Sequence, residues 1–426
     1  YRAVSFQSNV RIYFKVFLSY GQLMQVQKVV AVGVIPKCIQ MLTMLTMLSL
    51  GCIVAVQAQP TEQVYWGGVS FAGWEYREKT FPIVASTLCR SAGCSTNNVD
   101  AIALASLDNA AFQNFDISMD YISTGAIEGV IMTPMITGES LNVVKDVTAG
   151  QTKYIHTYRI FAALTFFEFG SGRFIAAKPV IKQFTDTLTE PASAAQKKAT
   201  FLTLLSGKEG NGLFDALFES ASTLSVGNLN DRYVRISGVS VSPEALAELA
   251  IEGDVEPWSS LIAKNFESNL VQDTSAPFVP FASNSELTSE LSATFASGSQ
   301  TIRLPTEVPY NVTVSLDKAR ELGAVDKKAK TVCHAVVITL QIDGPFESLL
   351  NQQLMWAKES CGVVSVDKNL DPTYYFTQSL LSLLIEVSRN LNEKPDKAFF
   401  KRAAPKSKNV HKAFSAVWRE AFKSDW

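Results

Sequence analysis

The hydrophobic pattern divides the chain into strand-like and helix-like runs. In KYIHTYRIFAALTFFEFGSGRFIAAKPV (153–180), residues 160–167 are apolar on both alternating positions apart from Thr165. A strand with one wet face alternates, so this run predicts a strand covered on both sides. Gly170-Ser171-Gly172 supplies a turn, and 173–180 the returning strand. Phe214, Leu217, Phe218, Ala221 and Leu224 recur at helical spacing and predict a helix near 213–224. A β-rich run at 232–241 is followed by Ser242-Pro243-Glu244, a helix start that combines a cap, an N1 proline and an acid at the positive end. That helix ends near Gly253. Trp258, Ile262, Phe266 and Leu270 repeat every four residues in the next one. Strands are predicted at 311–316 and 331–344, and an amphipathic helix at 374–391 carries Phe376, Leu380, Leu384, Val387 and Leu391. The Ser-rich stretch 277–300 reads as loop.

These runs repeat in order. A long strand at 154–168 and a helix at 213–224 are matched by a strand at 331–343 and a helix at 374–391, and each set follows a short Pro-aromatic segment, FPIVAS (81–86) or PFVPFA (277–282). The expectation is an α/β (α+β) fold of two duplicated sheet-plus-helix domains with mixed or antiparallel sheets. Their bounds are 59–230 and 258–392, joined by 231–257. Residues 393–426 form a basic tail whose helix at 409–423 has an apolar face of Phe414, Val417, Trp418, Ala421 and Phe422. That face suits either docking on the body or contact with a partner or membrane surface.

Charge refines this layout. The 426 residues carry a net charge of −2, which excludes a globally basic nucleic-acid binder. Residues 1–61 have five basic and no acidic side chains, 62–392 carry a net −12, and 393–426 hold nine basic against four acidic residues. The N-terminal part contains MLTMLTMLSLGCIVAV (41–56), preceded by Lys28 and Lys37 and followed by Val56-Gln57-Ala58. A positive region, an apolar region and small residues in that order describe a secretory signal peptide cleaved after Ala58. Residues 1–40 then read as upstream sequence, with the start at Met24 or Met41. An uncleaved anchor over 41–58, a mitochondrial presequence, and a lipoprotein modified at Cys52 in Leu48-Ser49-Leu50-Gly51-Cys52 are the competing readings.

Cysteines fit export. Beyond Cys38 and Cys52 the chain has Cys89, Cys94, Cys333 and Cys361, which allow three pairings. Proximity favours Cys89–Cys94 and Cys333–Cys361, with buried thiols as the alternative. Neither pair has the two-residue spacing of a zinc site. Asn311-Val312-Thr313 is a glycosylation sequon.

Chemistry is sparse. HExxH, GxSxG, GxGxxG and EF-hand patterns are missing, and no cofactor or metal is implied. Residues 206–212 (SGKEGNG) lack the lysine after the last glycine that a phosphate loop needs, and Ser315-Leu316-Asp317-Lys318 matches SxxK without a Lys-Thr-Gly element. His156 and His334, each in an apolar strand, are the candidates for a hydrolase with a non-contiguous site. The segment 64–81 packs Trp66, Trp74 and Tyr76 among glycines. It reads as a bulky core strand or as an aromatic contact platform. With Phe414, Trp418 and Phe422 of the tail, these aromatics are the candidate interaction residues.

FFEFGSGRFIAAKPV (166–180) resembles the strand, Ser-Gly or Thr-Gly turn, strand element of bacterial envelope lipoproteins of the curli-secretion-channel and penicillin-binding-protein-activator type. Their α/β domain is similar to the TolB N-terminal region. The resemblance covers 150–225 and, as a repeat, 330–391. It implies a non-enzymatic, periplasmic or secreted accessory protein with a protein partner in the cell envelope. A structural surface protein is the third option.

Overall fold

In a computed structural model the structure describes residues 62–72, 77–88, 97–119, 129–148, 151–207, 211–226, 233–249, 251, 253–271, 276–281, 290–295, 298–305, 307–326, 329–357, 362–365 and 372–422. Chain contacts divide at Gln59/Pro60, and all of these residues belong to the second unit. The expected signal segment 41–58, with Cys52, lies outside them, as do Trp74, Tyr76, Cys89, Cys94 and Cys361.

The first sheet is built around a long meander. Strand β4 (Val130–Thr148) pairs antiparallel with β5 (Gln151–Glu168), and β5 with β6 (Phe174–Leu188). On the other side of β4 lies β1 (Glu62–Trp66), parallel to β4 and to β3 (Phe115–Ser118). Strand β2 (Ser70–Ala72) also runs parallel to β4 and carries the antiparallel pair β8 (Glu290–Phe295) and β9 (Gly298–Arg303). Residues 277–300 therefore contribute strands to this sheet, where the serine content predicted loop. Pairing with β2 decides their structure, and their own sequence carries no strong strand signal. A bridge Arg173↔Arg303 joins β9 back to the start of β6. Hydrogen bonding thus runs round a ring, β4–β5–β6–β9–β8–β2.

The second sheet repeats the central order. Strand β7 (Val234–Val241) is parallel to β10 (Tyr310–Asp326), which leads into the antiparallel meander β10, β11 (Ala329–Asp343) and β12 (Ser348–Trp356). Strand β13 (Gly362–Ser365) joins the far end of β11. The two meanders also share an irregularity. The ladder slips between Ile136 and Gly138 in β4 and between Leu316 and Lys318 in β10. In each case the extra residue, Thr137 or Asp317, stands at the same distance from its strand start. Matching the slips equates Ala162 with Ile338, and hence Phe167 with Asp343 and Tyr158 with His334.

Helices cover one face of each sheet. On the first, α1 (Arg77–Thr80), α2 (Pro82–Leu88) and α3 (Asn97–Leu107) precede β3, and α4 (Ala194–Ser206) and α5 (Leu213–Ser220) follow β6. Phe201, Leu205, Phe214 and Phe218 of α4 and α5 bury against Trp66, Ile160, Leu164 and Phe166. Ser193 and Gln196 form a reciprocal capping box at the start of α4. The segment 81–86 lies largely in α2, whereas 277–281 is extended and bridges β7 through Val234↔Phe278, so the two Pro-aromatic segments are not structural equivalents. On the second sheet lie α6 (Pro243–Leu249), α7 (Glu256–Val271) and α8 (Pro372–Asn392). The tail continues as α9 (Lys397–Ala403), α10 (Val410–Val417) and a π-turn, Trp418–Phe422. No helix among the described residues is long and apolar enough to cross a membrane.

Helix α7 is shared between the sheets. Trp258, Ile262, Phe266 and Leu270 pack in the core of the second. Lys264 donates to the carbonyl of the slipped residue Thr137 at 2.9 Å, and Ser268 Oγ accepts from Ile181 N at 3.1 Å, both in the first. Glu267 is buried beside them and accepts from Phe281 N at 2.9 Å. Burial pushes its carboxyl up to about 8.

Candidate functional site

A cavity of about 1230 Å³ opens where the two sheets meet. Its first wall is the β5–β6 turn. Gly172 has φ 65°, and a Cβ there would stand 2.6 Å from the Thr301 carbonyl, so only glycine lets the turn lie against β9. Arg303 N donates to the Gly172 carbonyl at 2.7 Å, which locks that contact. The next residue, Arg173, pairs with Glu168, and Ser171 Oγ donates to the same carboxylate at 2.9 Å. Hydrogen bonds from Arg173 and Ser171 hold Glu168 below the usual carboxylate range.

The second wall is the start of β7. Tyr233 packs on Phe174 with ring centroids 6.0 Å apart. Arg235 stands opposite Asn311 in the ladder. Asn311 is fixed by its own donation to the Val308 carbonyl at 2.8 Å and by accepting from Ser237 at 3.2 Å. Arg235 Nε is buried and, among the described residues, has no hydrogen-bond partner. Desolvation lowers its pKa. Arg303, Leu304, Pro305 and Glu307–Pro309 close the third side, and Gly344 and Pro345 of the β11–β12 turn form the rim. The next residue, Phe346, is 99% exposed.

Three arginines, one of them already paired, thus line the cleft with, among the described residues, one lining carboxylate, Glu307. Arg173, Arg235 and Arg303 come from three segments spread over 130 positions, and no spacing rule links them in sequence. What brings them together is the Arg173↔Arg303 bridge and the junction of β7 with β10. Pro305, Pro309 and Pro345 also line the cleft and, lacking backbone N–H groups, add no backbone donors to it, so the charged donors are the arginines.

The residues singled out from sequence lie elsewhere. His156 is fully buried, and its Nε2 accepts from Ala192 N at 3.1 Å, so the proton sits on Nδ1. Across the ladder stands Asp186, yet the histidine's bond is to the backbone. His334 is stacked on Tyr375 at 4.9 Å and meets Phe376 edge-on at 5.0 Å. The two histidines occupy different sheets, and neither lines the cleft. Ser315 shares a hydrogen bond with Ser240 at 2.8 Å, while Lys318 pairs with Glu244, so the SxxK pair does not converge.

Trp66, Phe414 and Phe422 are buried core residues. Trp418 is half-buried, and its Nε1 donates to the Asn392 carbonyl at 2.8 Å. The tail's apolar face is therefore spent on its own body, because a stripe that wide gains more from α8 and β12 than from water. The rung Val332↔Gly362 lies one residue in sequence from Cys333 and from Cys361. Two further cations are buried in the first sheet. Arg159 donates to Gln183 at 2.7 Å and is lowered to about 10, and Lys178 is lowered to about 8, both by desolvation. The chain matches no protein-family model and no curated protein.

Proposed function

We propose that this chain is an exported, non-enzymatic accessory protein that works by protein–protein contact in the cell envelope, and that the arginine-lined cleft is its contact site. The single observation that carries this reading is the cleft itself. It is large, it sits at the junction of two sheets, and it is lined by three arginines, one with a buried Nε that has no hydrogen-bond partner among the described residues; the exposed Phe346 follows the lining residue Pro345 in sequence. Export is supported by the apolar segment 41–56 and by a Cys333–Cys361 disulfide, which the adjacent rung Val332↔Gly362 favours. Two related halves, each a parallel pair leading into an antiparallel meander, support a duplicated origin.

A photo-crosslinking residue placed at Phe346 in cells of the native host tests the contact. One discrete adduct with an envelope protein, lost when Arg235 and Arg303 are both changed to Glu, is the expected result. An absence of adducts, or an adduct indifferent to the arginines, overturns the assignment of the cleft. Intact mass before and after reduction tests export. A mass beginning at Gln59 with disulfides is expected, and a mass that retains 41–58 with every thiol reduced overturns it.

A further inference from the structure

We infer that the cleft takes an extended acidic peptide segment, with carboxylates at Arg235 and Arg303 and an apolar side chain between Tyr233 and Phe346; this rests on the cleft being the contact site. The volume, about 1230 Å³, exceeds the roughly 300–1,000 Å³ typical of small-molecule pockets. An extended chain fills such a space better than a metabolite does.

The donor and acceptor pattern narrows the class further. Strong donors are confined to guanidinium groups, which match carboxylates with two parallel hydrogen bonds. Arg235 has the most to gain. Its Nε is already out of water and has no partner among the described residues, so the part of the guanidinium that lines the cleft carries a charge that water screens poorly, and a carboxylate there meets a stronger attraction than at a fully solvated arginine. Arg173 contributes less, since Glu168 holds it. The lining residues Pro305, Pro309 and Pro345 add apolar surface that an aliphatic side chain can cover.

A uniform polyanion fits less well. Glu307 stands among the arginines, and the segment 62–392 carries a net −12. Every phosphate outside the cleft would face that field. A peptide concentrates its acids at two points and offers N–H groups near Glu307. Phe346, fully in water and next in sequence to the lining residue Pro345, is the exposed aromatic that such a partner would cover, since aromatic side chains of this kind dominate contact energies.

The test uses the full chain and a fluorescein-labelled peptide of about twelve residues, roughly 40 Å when extended, that carries two Glu on either side of a Phe in an otherwise Gly-Ser sequence. Fluorescence anisotropy should report saturable binding that weakens as salt rises. Arg303→Gln and Arg235→Gln should each weaken it about tenfold, and Phe346→Ser by several-fold. The same peptide with Gln for Glu should lose about a hundredfold. Arg303 and Phe346 are exposed, so their variants remain informative if Arg235→Gln perturbs folding. No binding, or binding that ignores Arg303→Gln and the Gln peptide, overturns the inference. Displacement by oligothymidylate overturns it in favour of a polyanion site. An arginine-dependent crosslink at Phe346 alongside failure of the peptide would leave the contact site standing and remove only the ligand class.

Discussion

The two meanders share strand order, a slip at matching positions and a covering of helices, yet they treat their second faces differently. In the first sheet the face away from α4 and α5 is also dry. Met135, Ala163, Phe167 and Phe174 pack there against Ile302 and Leu304, inside the ring that β2, β8 and β9 complete. In the second sheet the corresponding face is polar. Thr339 Oγ1 donates to Asp317 at 2.7 Å, Gln353 Nε2 to the same carboxylate at 3.1 Å, and Ser240 meets Ser315. One topology therefore serves as a closed, doubly covered layer in one half and as an open sheet in the other. The insertion between α7 and β10 makes the difference, because it sends β8 and β9 to the first sheet. The cleft forms where that inserted segment returns, at Leu304, Pro305 and Glu307–Pro309.

Paired truncations give the largest expected contrast. Phe167 and Asp343 are equivalent positions on these second faces. Phe167→Ala should cost about 3–5 kcal/mol, since it empties a fully buried site. Asp343→Ala should cost under about 1 kcal/mol. Urea unfolding of both variants checks this. Equal costs would mean that the two faces are not as different as their burial indicates.

The contrast was partly legible in the sequence. The run 160–167, apolar apart from Thr165, predicts a strand covered on both faces, and β5 is buried throughout that run. The alternation of Val332, His334, Val336, Ile338, Leu340 and Ile342 placed His334 on the covered face, beside Phe376. The amphipathic helix at 374–391 appears as α8 over Pro372–Asn392. Strand β4 was missed. Pro134 and Gly138 interrupt its pattern, and its stability comes from β5 along its whole length. Helix α4 leaves little trace in the sequence because its buried residues, Phe201, Leu204 and Leu205, all lie in its second half. The cleft was illegible for a different reason. Its arginines acquire meaning only from a bridge between segments that no local rule connects.

A covalent clip sharpens the comparison next. Strand β13 has only four rungs to β11, Ala329↔Ser365 to Val332↔Gly362. A Cys333–Cys361 disulfide would hold this short edge in the open sheet, whereas the first sheet secures its edge through the Arg173↔Arg303 bridge. Changing both cysteines to Ser should lower stability by about 3 kcal/mol, the cost of releasing a loop of that length. Differential scanning calorimetry with and without reductant checks it. An unchanged transition would show that β13 is held by its backbone pairs alone.

Glu267 lies on the helix that both sheets share, and its ionisation should loosen that junction. Its carboxyl is near 8 in the folded protein and near 4.5 when unfolded. The folded state therefore holds the extra proton between those values. Stability is fully present below the lower value, falls as pH rises towards 8, and falls no further above it. The loss from pH 6 to 8 should be about 2 kcal/mol. Glu267→Gln keeps the acceptor for Phe281 N and should flatten that slope. A slope that persists in the variant would assign the pH dependence to another group.

The smallest effect is expected at the turn that closes the first sheet. Arg173 and Glu168 are paired but largely in water, with side chains 62% and 38% exposed, so their mutual attraction is screened. Arg173→Gln and Glu168→Gln should each change stability by no more than about 1 kcal/mol, and the double variant should show coupling of about 0.5 kcal/mol that fades with salt. The turn itself depends on backbone contacts, Gly172 N to the Glu168 carbonyl at 2.8 Å and Arg303 N to the Gly172 carbonyl at 2.7 Å, which neither substitution removes. Gly172→Ala should therefore cost more than either charge change, because it forces a Cβ against Thr301 in a left-handed conformation. If the charge pair outweighed the glycine, the ring would be closed by electrostatics, and its stability would track ionic strength. If the glycine dominates, closure is steric, and Glu168 serves chiefly to offset one of the three arginines at the cleft.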